Sequence, residues 1–411
     1  VSPDVVVVGA GIIGAACAEA LSAAGLRVTV LERGALASGT TAAGEGNVLV
    51  SDKAPGPELD LARASRRRWP RLLAALREEL GPRAAETEWD PKGGLVVATT
   101  AEAVAPLAEF AAAQRTAGVR ADRIDPARAR DLEPHLTRQV TAAVHYPEDA
   151  QLQPVLAATT LLAAVRARGG EVRAGTTVTG VVRDAGDRVG GVRTDRGSLA
   201  CGAVVNCCGP WAGSFAAAAG APVTVLPRRG MILVTAPLPP DTVRRKVYDA
   251  DYVGAVASGD AELQTSTVVE STRAGTVLIG SSRERVGFDG TVRVEVLREL
   301  ARKAVALFPV LADVPVMRAY GGFRPYAPDH LPVIGADPRL PGLWHATGHE
   351  GAGIGLAAAT GRLLADLFTG AAPELDPAPF RPDRPAVMSQ AVISPAVISP
   401  AVTGPDGETA A

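Results

Sequence analysis

Four β-branched residues in succession, Val5 to Val8, set the first regular pattern of the chain. The run is too short for a helix interior and suits a strand buried on both faces. Apolar positions then recur at helical spacing from Ile12 to Ala23, and residues 27–31 read as a second strand. Strand, helix, strand is the opening of a doubly wound parallel sheet. Helical spacing returns at residues 58–80, 101–117, 154–168, 292–308 and 354–368. Strands are predicted within 94–99, 171–182, 189–194, 203–207, 316–324 and 343–346, and 223–280 is strand-rich with Gly, Pro and Asp punctuation. The pattern is that of an α/β protein.

With 411 residues the chain exceeds what one hydrophobic core usually serves, so two domains are expected. The periodicity stops after Pro377. Proline becomes dense, and Ala-Val-Ile-Ser-Pro occurs at 391–395 and again at 396–400. Such sequence cannot bury a core, and 377–411 is read as a disordered tail; a short partner-binding strand is the alternative.

Charge and cysteine usage remove several classes. A formal net charge of −2 leaves no electrostatic footprint for nucleic acid or an anionic membrane. No apolar run approaches the ~20 residues that span a bilayer. Cys17, Cys201, Cys207 and Cys208 show neither metal-ligand spacing nor a C-x-x-C motif, so no metal site is expected. Reduced thiols, and a chain that starts almost directly on a strand, fit a cytoplasmic location.

The strongest chemical signal is Gly9-Ala10-Gly11-Ile12-Ile13-Gly14, which follows a strand and opens a helix. Gly9 permits the tight turn, Gly11 the approach of a pyrophosphate, and Gly14 close helix–strand packing. A pyrophosphate here meets the free N–H groups of a helix N-terminus. Glu32 ends the second strand about twenty residues on, where a carboxylate accepts from ribose hydroxyls. The motif alone does not separate FAD from NAD. Two more Gly-rich segments bear on that choice: Thr40-Thr41-Ala42-Ala43-Gly44-Glu45-Gly46-Asn47, and Gly348-His349-Glu350-Gly351-Ala352-Gly353-Ile354-Gly355 before the last helix. Each is either a cofactor-facing loop or a plain turn. An NAD-dependent dehydrogenase would leave both without a role.

Taken in order, these segments resemble the glycine oxidase, D-amino-acid oxidase and sarcosine oxidase family of FAD-dependent oxidoreductases, from Asp4 to about Asp366. Also similar are Asn206-Cys207-Cys208-Gly209-Pro210-Trp211, Gly322-Phe323-Arg324-Pro325 and Pro328-Asp329-His330-Leu331-Pro332. Gly44-Glu45-Gly46-Asn47-Val48-Leu49-Val50-Ser51-Asp52-Lys53 looks closest to the catalytic subunits of hydrogen cyanide synthase, opine oxidase and D-hydroxyproline dehydrogenase. That subgroup implies partner subunits as electron acceptors, and an oligomer.

The resemblance implies a Rossmann-like FAD domain (1–86, 143–218 and 322–376) interleaved with an antiparallel-sheet substrate domain (87–142 and 219–321). It places adenine near Glu32, Arg33 and Val178, and pyrophosphate on Gly9–Gly14 beside Thr40 and Thr41. The isoalloxazine then lies between Gly44, Gly46 and Asn47 on one side and Gly351, Ala352, Gly353 and Ile354 on the other, with Gly209, Trp211 and Gly322 completing the set. Monomeric sarcosine oxidases carry a flavin-linked cysteine where this chain has Gly322, so the resemblance implies noncovalent FAD.

Arg324 matches the arginine that clamps the substrate carboxylate, a role suited to the guanidinium fork. A second arginine of glycine oxidase is replaced here by Gly351, which argues against simple glycine as the substrate. Glu350 beside it either binds a substrate cation or pairs with an arginine. Tyr252, like Tyr248, either touches substrate or packs in the sheet. None of the five histidines makes a convincing general base. None is required, because the lone pair of a neutral amine assists hydride departure. The implied activity is oxidation of CH–NH or CH–NH2 in an amino acid or related amine. The alternative is a noncatalytic FAD subunit that scaffolds a larger dehydrogenase.

Overall fold

The computed structural model describes residues 2–83, 85–251, 254 and 258–388. Its first layer is a six-stranded sheet in the order Val333–Ala336, Leu343–Thr347, Ala203–Asn206, Val5–Val8, Val28–Leu31, Glu171–Arg173. All neighbours run parallel except the Val333–Ala336 edge. From Val5–Val8 the chain moves outward to one side and later returns on the other. The carboxyl ends of Val5–Val8 and Ala203–Asn206 therefore flank a topological switch point, where open α/β sheets bind ligands.

The helix Ile12–Ala23 covers this sheet together with Pro154–Ala167 and Gly353–Thr369. The helices Ile12–Ala23 and Gly353–Thr369 approach at backbone distance: a Cβ on Gly361 would lie 2.3 Å from the Ala16 carbonyl oxygen. The helix Pro57–Leu80 braces Gly353–Thr369. Its Trp69 is fully buried, and the indole N–H donates to the carbonyls of Ile354 (3.2 Å) and Gly355 (3.3 Å).

The second layer is an eight-stranded sheet in the order Val316–Tyr326, Leu226–Thr235, Val277–Arg283, Gln264–Ser271, Lys246–Asp249, Gly94–Ala98, Ala142–Tyr146, Asp122–Ile124. It is antiparallel apart from the Lys246–Asp249 and Gly94–Ala98 pair. The helix Val294–Leu307 closes one face with Val296, Leu300, Ala304 and Leu307.

The strand Ala142–Tyr146 pairs with Gly94–Ala98, and Val316–Tyr326 continues to the Leu226↔Tyr326 pair. Residues 377–388 pack onto the body instead of forming a loose tail. Phe380 and Val387 are buried, and Arg384 donates to both Asp329 carboxylate oxygens at 2.6 and 2.9 Å. The pattern also gave no warning of the short helix Pro126–Leu132. The Ala-Val-Ile-Ser-Pro repeat lies outside the described residues. Among the described residues, no helix is long and apolar enough to cross a membrane.

Candidate active site

The turn after Val5–Val8 can be built only from glycine. Gly9 has φ +105°, and a Cβ there would lie 2.4 Å from the Cys207 carbonyl oxygen. A Cβ on Gly14 would lie 1.9 Å from the Gly9 oxygen, so the helix seats directly on the turn. Thr41 Oγ1 accepts the Ile12 N–H at 2.9 Å, tying the second Gly-rich loop to the helix N-terminus. Glu32 accepts from Ala10 N–H and Gly34 N–H, both at 2.9 Å. Each carboxylate oxygen keeps a second lone pair for a ligand hydroxyl. Arg33 lies 3.8 Å from the Trp211 ring centroid, and Trp211 stacks on Phe288 at 5.2 Å. That contact is a cation–π platform beside the nucleotide turn.

The loop 40–47 is held by the second layer as well as the first. Thr40 Oγ1 donates to the Phe323 carbonyl at 2.6 Å. A Cβ on Gly322 would lie 2.4 Å from the Ala43 Cβ, so no cysteine fits at 322. Gly46, at φ +99°, presses on the Leu152 carbonyl, where a Cβ would come within 2.0 Å. From the other side, a Cβ on Gly44 would lie 2.7 Å from Ile354 Cδ1. The two Gly-rich segments thus converge on one another.

Between them runs a single cavity of about 610 Å³, within the ~300–1,000 Å³ of typical ligand sites. At its sheet end lie Gly230, Ser281, Arg283, Arg324 and Glu350. The Arg324 side chain crosses Gly230, where a Cβ would be 2.1 Å from Nη1, and Nη1 donates to the Ser282 carbonyl at 2.8 Å. Its other flank is Gly351, whose ideal Cβ is 3.4 Å from Arg324 Nε.

Glu350 pairs with an arginine. Its Oε1 accepts from the buried Arg228 at 2.5 Å, and Oε2 lies 3.2 Å from His330 Nδ1. Burial would raise the Glu350 pKa, but the His330 hydrogen bond and the charges of Arg228 and Arg283 outweigh it and hold it below the ordinary value. His349 is buried with Nε2 3.0 Å from Thr360 Oγ1, and burial pushes its pKa down to about 3. It is a neutral support of the turn. His345 is enclosed by Asn206 and Asp337.

Most of the expected site residues line this one cavity: Gly9, Gly11, Ile12, Ile13, Glu32, Arg33, Thr40, Thr41, Gly44, Asn47, Val178, Gly209, Trp211, Gly322, Arg324, Glu350, Gly351, Gly353 and Ile354. Ala10, Gly14, Gly46 and Ala352 are absent from its wall and shape the turns behind it. Tyr248 is fully buried in the sheet, away from the cavity wall. Tyr252 lies outside the described residues. Sequence reasoning missed Arg228, Arg283 and Glu45. Arg228 and Arg229 within an apolar strand were the available signal, since a charge is buried there only with a partner.

The DAO family, described as FAD dependent oxidoreductase, matches residues 4–367. The chain belongs to that family. Its relatives include glycine oxidase of Pseudomonas aeruginosa, 34% identical over 389 residues, covering 93% of this chain and 99% of that protein. Hydrogen cyanide synthase subunit HcnC of Pseudomonas protegens is 33% identical over 259 residues, 62% of this chain and 58% of the subunit. Among solved structures, glycine oxidase from Geobacillus kaustophilus superposes with a TM-score of 0.83 at 28% identity, covering 93% of this chain and 98% of that one. As a member of this family the chain is an FAD-dependent amine or amino-acid oxidoreductase with the mixed α/β fold of its relatives. The cavity suits FAD: its walls offer the glycine cradle at 9–14, a carboxylate at Glu32, and buried polar atoms without partners at Asn47 Oδ1 and His349 Nδ1.

Proposed function

We propose that the chain oxidises the α-carbon of a carboxylated primary or secondary amine to an imine, with Arg324 as the carboxylate clamp. The observation that carries this reading is the Arg324 guanidinium, laid across Gly230 and against Gly351 in the wall of the same cavity as the glycine cradle. The chemistry that FAD supplies when bound is acceptance of a hydride from Cα at N5.

The chain's own residues do the positioning. Gly9–Gly14 and Thr41 hold the pyrophosphate, Glu32 the ribose, and Arg33 with Trp211 the adenine end. Gly44, Asn47, Gly351, Gly353 and Ile354 line the part of the cavity that takes the ring system, with Gly46 and Ala352 shaping the turns behind them. With no cysteine accommodated at 322, the cofactor is held noncovalently. Arg324 fixes the carboxylate by two parallel charge-assisted bonds and aims Cα. Glu350 neutralises Arg228 and orients the adjoining turn. The amine reacts as the neutral base, and water hydrolyses the imine unless a ring stabilises it.

The likeness to HcnC, a subunit of hydrogen cyanide synthase, supports partner subunits as the onward electron acceptor. The test is an anaerobic absorbance titration of the purified flavoprotein with glycine, sarcosine, D-amino acids, D-hydroxyproline and opines. Bleaching by one of them is expected, and readmitted air then separates oxidase from dehydrogenase. A flavin left oxidised by every amine would sink the reading.

A further inference from the structure

Two residues of the cavity wall each carry a buried oxygen with no hydrogen-bond donor: Glu45 Oε1 and Asn47 Oδ1. They belong to one cluster, because Asn47 Nδ2 donates to Glu45 Oε2 at 2.9 Å. A carboxylate only accepts, so this bond fixes the amide orientation and makes Asn47 Oδ1 an acceptor. The Glu45 side chain is only 7% exposed. A buried acceptor without a donor is costly and rare, and its retention in a cavity wall points to a ligand that brings the donor.

The rest of the carboxylate is held from behind. Lys246 Nζ stands 3.5 Å from Glu45 Oε2 and 3.8 Å from Glu270 Oε2. Gln151 Nε2 donates to the Glu45 carbonyl at 3.3 Å. Gly280 makes room for the free oxygen, since a Cβ there would lie 2.2 Å from Oε1. Oε2 is the anchored oxygen and Oε1 the one without a donor, on a residue that lines the cavity. An anionic group would be repelled by this fixed negative oxygen, whereas a donor gains from it, and the amine N–H is the donor that the proposed substrate class carries beside its carboxylate.

Resting on the amine-oxidising reading above, we propose that Glu45, steadied by Asn47 and Lys246, accepts hydrogen bonds from the substrate's amine nitrogen and so determines specificity for amines, as Arg324 does for the carboxylate. The substrate class is then a small molecule carrying both a carboxylate and a primary or secondary amine, each read by its own side chain.

Isosteric pairs test this on the full-length flavoprotein: glycine against propionate, and proline against cyclopentanecarboxylate. Apparent Kd is read from the shift of the bound-flavin spectrum, or from saturation of anaerobic bleaching. Wild type is expected to prefer the amine of each pair. Glu45→Met lowers that preference about tenfold or more, Glu45→Gln by less, and Arg324→Ala weakens both members alike. An unchanged preference in flavin-loaded Glu45→Met and Glu45→Gln overturns the assignment. So does loss of flavin affinity with the preference intact, which would make the cofactor itself the donor. If no amine shifts or bleaches the wild-type flavin, the amine-oxidation reading fails and this inference with it.

Discussion

Arg228 and Arg324 stand directly opposite one another on neighbouring antiparallel strands. Like charges in such a pair repel. The two side chains diverge: Arg228 turns to Glu350 and the Ser258 carbonyl, while Arg324 lies over Gly230 toward Ser282. Glu350 thus absorbs one positive charge at the cavity's end, which leaves the pair compatible with a single carboxylate.

Arg324→Ala should keep bound FAD and lose on the order of a hundredfold in kcat/KM on carboxylated amines, the usual scale for truncating one partner of a buried charge pair. Arg324→Lys should recover only part, because an ammonium lacks the fork. Steady-state kinetics with the flavin spectrum as a fold control decide it, and wild-type kcat/KM in the alanine variant would remove the clamp.

Gly9→Ala should yield protein without yellow colour. The new methyl meets the Cys207 carbonyl at 2.4 Å, on a backbone at φ +105° that alanine resists. The ratio of flavin to protein absorbance after purification reports the outcome. Full occupancy would mean that the turn relaxes and the cradle is less exacting than drawn.

Trp69→Phe should loosen the start of the helix Gly353–Thr369. It removes the donor to the Ile354 and Gly355 carbonyls at little change in apolar volume. A loss of about 1–2 kcal/mol is expected, visible as a lower thermal midpoint and faster release of flavin on dilution.

His349 sets a pH dependence. Its folded pKa of about 3 lies below the ordinary 6.5. Between those values the unfolded chain binds a proton that the native protein refuses, so this residue costs stability as pH falls through the window. His349→Asn should therefore lose less stability than wild type between pH 7 and about pH 4. Paired urea melts at the two pH values isolate the difference, and parallel losses would reassign the burial effect.

The nucleotide-binding half was legible because its signals are local. The residues 12–23 read as helical form the helix Ile12–Ala23, and the residues 58–80 start one residue earlier, at Pro57, because proline suits a first helical turn. The other half depends on contacts between residues distant in sequence. The partner of Glu350 is Arg228, separated by 122 positions, and no periodicity encodes that choice. Glu45 was visible as a letter in a Gly-rich loop, but its free oxygen follows from Lys246 and Gly280 on other strands. Residues 377–388 were misread because Phe380 and Val387 are single anchors in a Pro-rich stretch, too sparse to register as a pattern.

The contact between Ala16 and Gly361 has a consequence for biosynthesis. The glycine turn at residues 9–14 is translated long before the helix Gly353–Thr369 that seals it. Until that helix has been made, the growing chain carries an unfinished nucleotide cleft with one wall missing. Capture of the cofactor therefore waits for that helix, and a chain cut short before Gly353 would bear the fingerprint with nothing to close over it.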